Sequence, residues 1–310
     1  MDLDARPFEQ PGGSPLDAQR GAFSNTQPAG APGGPGGPPA PFPDLRIQSI
    51  TVLPADVQDT DGELTVQRMR VELGYNIPIS QQSRLRLSFD HESSFYNFTN
   101  VDTLSPQDND PLDYAASNFV GALFSTQFNE ETGLIVGGNL GISGEAGTSF
   151  SDALLGRAFI APTFQIDEKT NIGIGVIALT RLEADPIVVP FLQLQRQVTD
   201  RLSIGSQGRG LGATYDLNEY VNLRGSLGLD FRQYRLDEDS GQLRDGIFQE
   251  VAVNVGLGAD IQAAENVSIN LDVNLLPYRE IEFQEADTTR VSKFTTDPTV
   301  SLSLGVRVRF

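Results

Sequence analysis

From Leu45 onward the chain alternates apolar and polar positions with little interruption. Its last stretch is the cleanest case. Val300, Leu302, Leu304, Val306, Val308 and Phe310 share one parity, and Ser301, Ser303, Gly305, Arg307 and Arg309 share the other. A β-strand sends successive side chains to opposite faces, so this period predicts a strand with one wholly apolar side. The same period predicts strands near 45–53, 64–77, 84–92, 119–128, 133–142, 157–166, 172–181 and 187–195. It continues at 201–207, 211–217, 221–234, 248–261, 267–276 and 300–310. Most runs reach the roughly 9–11 residues that a tilted membrane strand needs. The pair at 201–217 is the weakest, so the count is 14 with it as two strands and 12 without it.

The connections fall into two kinds. Ser80–Ser83, Asn129–Thr132, Asp167–Thr170, Val198–Asp200, Asn218–Tyr220 and Ala263–Asn266 are short. Phe95–Asn118, Ser143–Gly156, Tyr234–Gly246 and Pro277–Lys293 are long. Short turns at one end and long loops at the other predict an all-β, up-and-down antiparallel transmembrane β-barrel of 12–14 strands. A soluble sandwich is the competing fold, but it has no reason to alternate its loop lengths. A solenoid would repeat at a fixed short period.

Outward positions then carry the apolar set, such as Leu85, Leu87 and Phe89, or Leu223, Leu227, Leu229 and Phe231. Inward positions carry Arg84, Arg86, Ser88 and Asp90, or Asn222, Arg224, Ser226, Asp230 and Arg232. Tyr75, Phe128, Tyr215 and Phe310 fall outward near the short turns, where an aromatic girdle belongs.

A strand ending on Phe310 resembles the closing strand of bacterial outer-membrane barrels. That resemblance implies recognition by the barrel-assembly machinery, contact with membrane lipid and lipopolysaccharide, and both termini on the periplasmic side. The turn Thr199-Asp200-Arg201-Leu202-Ser203 and its repeats resemble a family of uncharacterised barrels that carry a domain of unknown function.

Composition narrows the partners. No apolar run reaches the roughly 18 residues of a membrane-crossing helix. There is no cysteine, which excludes disulfides and thiolate chemistry. The net charge of −19 argues against nucleic acid. Residues 1–43 form a Pro/Gly-rich stretch that cannot bury enough apolar surface to order itself, so a disordered tail or periplasmic tether is expected, with the barrel at 44–310. The chain opens Met1-Asp2-Leu3-Asp4 without a basic-then-apolar leader, which for an exported barrel predicts a mature sequence with an added Met.

Closure of the barrel places Arg307 and Arg309 on one lumen wall with Arg68, Arg70, Arg84 and Arg86. Two readings of this wall stand: a basic constriction selecting anions, or arginines paired with inward Glu72, Asp90 and Asp272. The function expected first is a narrow passive channel for small polar or anionic solutes. A non-conducting structural barrel is the second reading.

The third is enzymatic. The single histidine, His91, shares a face with Ser93, outward and near the long-loop end. This spacing resembles the outward-facing catalytic pair of outer-membrane lipid A deacylases, which implies acyl-ester hydrolysis by a His-activated Ser. No orienting acid is apparent, and Ser94 stands where that family has Asn. The Gly-rich segments Gly137–Gly141 and Gly208–Gly212 lead into strand, not helix, so they predict close strand packing and no phosphate loop. The acidic loops at Asp108–Asp113 and Asp237–Asp239 lack the Ca²⁺-loop spacing. They read as a solvated surface, with divalent bridging to lipopolysaccharide phosphates as the alternative. Neither a cofactor nor a dedicated metal site is expected.

Overall fold

The computed structural model describes residues 42–58, 60–100, 112–207, 210–237 and 243–310. The expected tail lies outside them except for Phe42 and Pro43, which already belong to the first strand. Most of the two acidic loops lies outside them as well. Fifteen strand segments run in sequence: β1 (Phe42–Asp56), β2 (Glu63–Pro78), β3 (Ser83–Thr99), β4 (Tyr114–Gln127) and β5 (Thr132–Gly144). Next come β6 (Leu154–Asp167), β7 (Thr170–Arg181), β8 (Ala184–Gln197), β9 (Leu202–Gln207) and β10 (Gly210–Asp216). β11 (Val221–Arg235), β12 (Ile247–Ala264), β13 (Val267–Gln284), β14 (Arg290–Thr296) and β15 (Thr299–Arg309) complete the chain.

Each strand pairs antiparallel with its predecessor, except that β14 and β15 both pair with β13. These two are one wall strand interrupted at Asp297-Pro298, where Pro cannot donate to the ladder. β15 then pairs with β1 from Asp44↔Arg309 to Val52↔Ser301. The result is a closed 14-stranded antiparallel barrel. The weak run at 201–217 forms β9 and β10, which settles the count. Closure follows from the medium: hydrocarbon offers no partner for backbone N–H and C=O, so a spanning sheet must leave no edge.

The side-chain phase agrees with the alternation. On β15, Leu302, Leu304 and Val306 are exposed outward, and Ser301 and Ser303 are buried inward. Two long connections are shorter than the alternation suggests, because strands continue into them. β3 runs on to Thr99, and β13 and β14 form a hairpin across the expected loop at 277–293. The reason lies at Pro277. Val253 faces Tyr278 whereas Val255 faces Leu275, so β13 carries one extra residue there. Such a bulge reverses the parity of the residues beyond it. Below it Asn270, Asp272 and Leu276 point inward; above it Arg279, Ile281 and Phe283 do.

The long-loop end of the lumen is thereby filled. Val52, Leu64, Val66, Tyr96, Phe98, Tyr234, Phe248, Ile281, Phe283 and Phe294 form one buried apolar core inside the barrel. Tyr96 and Phe248 meet edge to face at 4.9 Å, and Phe248 and Phe283 do so at 5.2 Å. A second apolar layer coats the inner face of β4–β8: Leu123, Ile135, Phe159, Ile177 and Leu179, with Ile187, Val189 and Phe191 against it.

Glycine sets the spacing of this wall at Gly141. A Cβ there would stand 2.6 Å and 2.7 Å from the Phe119 side chain and Cα. Gly141→Val should therefore force apart the β4–β5 pair, at a cost of about 1–3 kcal/mol. The expected outcome is a lower melting point of the heat-modifiable, folded band on a detergent gel, with the same shift absent for Val at the open position Gly225.

Candidate functional site

The lumen is lined by charges, and the strands place them in tiers. Near the short turns Asp44 accepts from Arg86 at 2.9 Å and 3.0 Å and from Arg307 at 3.0 Å. Arg307 stands on the neighbouring β15, and Arg86 reaches Asp44 from β3 across Gly74 of β2, where a Cβ would block it. Beside this tier Glu72 meets Arg70 at 3.1 Å and Arg46 at 4.0 Å. Farther round the wall, beyond β15, Arg224 bridges Asp260 at 2.9 Å and Asp272 at 2.8 Å. Higher, Glu92 accepts from Arg232 at 2.7 Å.

Directly under the apolar core Glu250 is held from both sides. Arg68 donates at 2.5 Å, Arg279 at 2.8 Å and the Tyr96 hydroxyl at 2.8 Å. All of these groups are buried. Ion pairs this deep persist only when geometry and extra hydrogen bonds offset desolvation, and Tyr96 supplies one of those bonds. Arg279 enters the lumen only because the bulge at Pro277 turns it inward.

The expected arginine wall thus divides by height. Arg86 and Arg307 share Asp44; Arg70 meets Glu72; Arg68 lies in the tier beneath the core. Arg84 and Arg309 are exposed at the short-turn rim. Of the three expected partners, Glu72 meets Arg70. Asp272 turns to Arg224, and Asp90 lines the mid-lumen cavity. Asp44 and Arg279 were missed. Asp44 shares the inward parity of Arg46 and Gln48 and could have been found that way. Arg279 stands on the wrong parity until the bulge is known.

Between the tiers lies a cavity of about 210 Å³. Arg70, Asp90, Glu92 and Arg232 line it together with Phe119, Asn139 and Arg157, Asp90 and Phe119 being cross-strand neighbours. The Arg157 guanidinium stacks over the Phe119 ring at 5.2 Å.

On the outer face, His91 and Ser93 are brought together as the spacing suggests. His91 Nε2 lies 2.8 Å from Ser93 Oγ. Its Nδ1 lies 2.8 Å from Asn118 Oδ1, across the β3–β4 pair where His91 stands opposite Asn118. The Tyr114 hydroxyl is 3.3 Å from Ser93 Oγ. Among the described residues no acid orients the ring; the amide of Asn118 occupies that place, a partner visible only once the register is known.

The closed antiparallel barrel is a fold found among solved outer-membrane proteins. Among solved structures, the chain is similar in fold to the TodX monoaromatic hydrocarbon channel deltaS2 mutant, at TM-score 0.50 and 9% identity, covering 89% of this chain and 91% of that one. The COG4313 outer membrane channel from Pseudomonas putida F1 aligns at 0.47 and 10%, over 91% and 100% of the two chains. The KdgM porin aligns at 0.34 and 10%, over 86% and 99%. A comparison with curated proteins finds no match. The family model described as Domain of unknown function (DUF6268) matches residues 134–310, more than half of the chain, and the chain belongs to that family.

The tier beneath the core generates a stability prediction. Glu250→Ala leaves Arg68 and Arg279 facing each other without a counter-charge. Removing one partner of a buried pair costs about 3–5 kcal/mol. The urea midpoint of the folded band should fall sharply, whereas Glu72→Ala, at a pair more open to water, should move it much less.

Proposed function

We propose that this chain is a narrow outer-membrane channel for small polar solutes, with the periplasmic side at the short turns and both the Pro/Gly tail and Phe310 on that side. The cavity between the charged tiers carries this reading, because it is space inside the wall lined by groups that can replace a solute's hydration. The alternating strands, with apolar residues outward, support residence in lipid and contact with lipopolysaccharide at the long-loop end. The terminal strand ending in Phe310 supports recognition by the assembly machinery. The fold shared with outer-membrane channels is consistent with transport and names no solute.

The pairings argue for weak rather than strong anion preference. Asp44 balances Arg86 and Arg307, and Glu72 balances Arg70 and Arg46. In planar bilayers under a potassium chloride gradient the wild-type reversal potential should lie close to zero. Asp44→Asn should shift it toward chloride by uncovering two guanidinium groups. Absence of any conductance in a protein that still shows heat-modifiable migration would favour the non-conducting structural barrel.

A second reading rests on the Asn118–His91–Ser93 chain. With an acyl ester at the outer face, the Ser93 oxygen would bond to the carbonyl carbon while His91 Nε2 takes its proton. The same proton would leave on the departing alcohol, and water would release the acid. The check is the lipid A mass spectrum of cells expressing the protein. Deacylation that disappears with His91→Ala is the expected mark of this reading, and identical spectra with and without the substitution would remove it.

A further inference from the structure

The tier beneath the core carries one more positive charge than negative. The side chains of Arg68, Arg279 and Glu250 are 4%, 0% and 2% exposed. The ionisable groups around Arg279 are Glu250, Arg68 and Tyr96, and a tyrosine hydroxyl is neutral near pH 7. Two guanidinium groups thus share one carboxylate. Arg232 nearby is balanced by its own Glu92. Arginine cannot shed its proton inside a protein, so the excess stays as charge. A buried charge persists where it is paired.

Arg279 also has donors to spare. Its Nε donates to Glu250 Oε1 at 2.8 Å. Among the described residues its Nη1 and Nη2 are buried and donate to no protein acceptor. The strand order shows what stands beside them. β13 runs between β12 and β14, and Arg279 lies opposite Ala252 on the first and Thr296 on the second. Thr296 points inward with Phe294, and its Oγ1 is likewise buried without a protein partner. Side chains opposed in this way leave the backbone about 4.5–5.5 Å apart at Cβ. The Thr296 hydroxyl and the end of the Arg279 fork therefore reach one point.

The rung has space for something small. In the rung above, Ile281 is flanked by Glu250 and Phe294; here the flanking side chains are only Ala and Thr. Val57, which bridges to Thr296, is buried, as are Ala252 and Phe294, so bulk water does not reach the rung. Buried donors in native proteins almost always have an acceptor.

We propose that Arg279 and Thr296 hold a single halide ion, chloride in ordinary saline, as a fixed part of this tier. A water molecule would accept the hydrogens and leave the excess charge in place. A monovalent anion does both, through charge-assisted hydrogen bonds from the guanidinium. Phosphate and sulfate carry more charge than the excess, and an organic carboxylate brings a body too large for a rung walled by Val57, Ala252 and Phe294. The ion lies on the β14 side of Arg279 and Glu250 on the β12 side, so neither replaces the other. Arg279 and Thr296 do not line the mid-lumen cavity, so this ion is a structural one and not a solute in passage.

Bromide is the probe. The protein is refolded from urea into an uncharged detergent in sodium bromide, then moved into bromide-free sodium gluconate, which strips ions held loosely in the lumen. Elemental mass spectrometry should find a single bromide retained per folded chain. Retention near zero would overturn the site and leave water as the partner of Arg279. In urea titrations at fixed ionic strength, with gluconate replacing chloride, the unfolding equilibrium constant should fall about tenfold for each tenfold rise in chloride above the binding constant. A constant indifferent to chloride would also overturn the ion. Arg279→Met removes the excess charge and leaves Arg68 paired with Glu250. That variant should retain no bromide and lose the chloride dependence, and retention equal to wild type would place the ion elsewhere and sink the proposal. Should it fail to fold by heat-modifiable migration, Thr296→Val keeps the charge and removes one donor. The chloride concentration for half effect should then rise about threefold or more, and an unchanged value would count against the site. None of these readouts depends on whether the lumen conducts.

Discussion

A backbone amide in hydrocarbon has no water to bond, and this constraint organises the molecule. It requires every spanning strand to have two neighbours, and so it requires β1 to meet β15. It also explains where proline is tolerated. Pro277 sits at a bulge, Pro298 at the break between β14 and β15, and Pro190 on the edge beside the short hairpin. Each is a place where a donor would have had no acceptor in the ladder. On β8, Pro186 and Pro190 remove two donors from the edge that β9 does not reach.

The lumen answers to a different requirement. A barrel of this width is too wide for opposing side chains to meet by simple alternation. The chain fills the long-loop end with aromatic and aliphatic residues and the rest with guanidinium–carboxylate tiers. Arginine suits the tiers because its planar fork can serve two carboxylates at once, as Arg224 does with Asp260 and Asp272. Carboxylates do the converse: Asp44 joins two arginines from strands on either side of β1, and Glu250 joins Arg68 to Arg279. These cross-links tie strands far apart in sequence, so a filled lumen also braces the wall against sliding.

Much of this was legible in the residues. Alternation, loop lengths and the terminal Phe310 suffice for the fold, because in a barrel each strand faces two solvents and advertises both. The charged lumen was legible for the same reason. What alternation could not show lies where its premise fails. β6–β8 are apolar on both faces, as in Ala158-Phe159-Ile160-Ala161 and Ile187-Val188-Val189, so phase tells little about which side is in. The continuous runs were the available signal, since a strand buried on one side and lipid-facing on the other has no polar face. The bulge at Pro277 hid Arg279 by reversing parity. Asn118 met His91 only through a register that the long loop between β3 and β4 left open.

The filled outer end and the gap between β8 and β11 above the short β9–β10 hairpin have a common origin. At its tip β11 leaves its neighbour β10 and pairs with β5, both strands running the same way. That bridge narrows the upper ring enough for Tyr234 and Phe248 to reach Tyr96, 6.4 Å and 4.9 Å between centroids, and so closes the core. It also withdraws β11 from the outer wall, leaves β6–β8 as a side lobe and exposes the edge of β8. A wider ring would have kept β8 and β11 joined through longer β9 and β10, but it would have separated the aromatic rings. Narrowing the lumen along its axis and parting the wall between β8 and β11 are two results of one strand crossing.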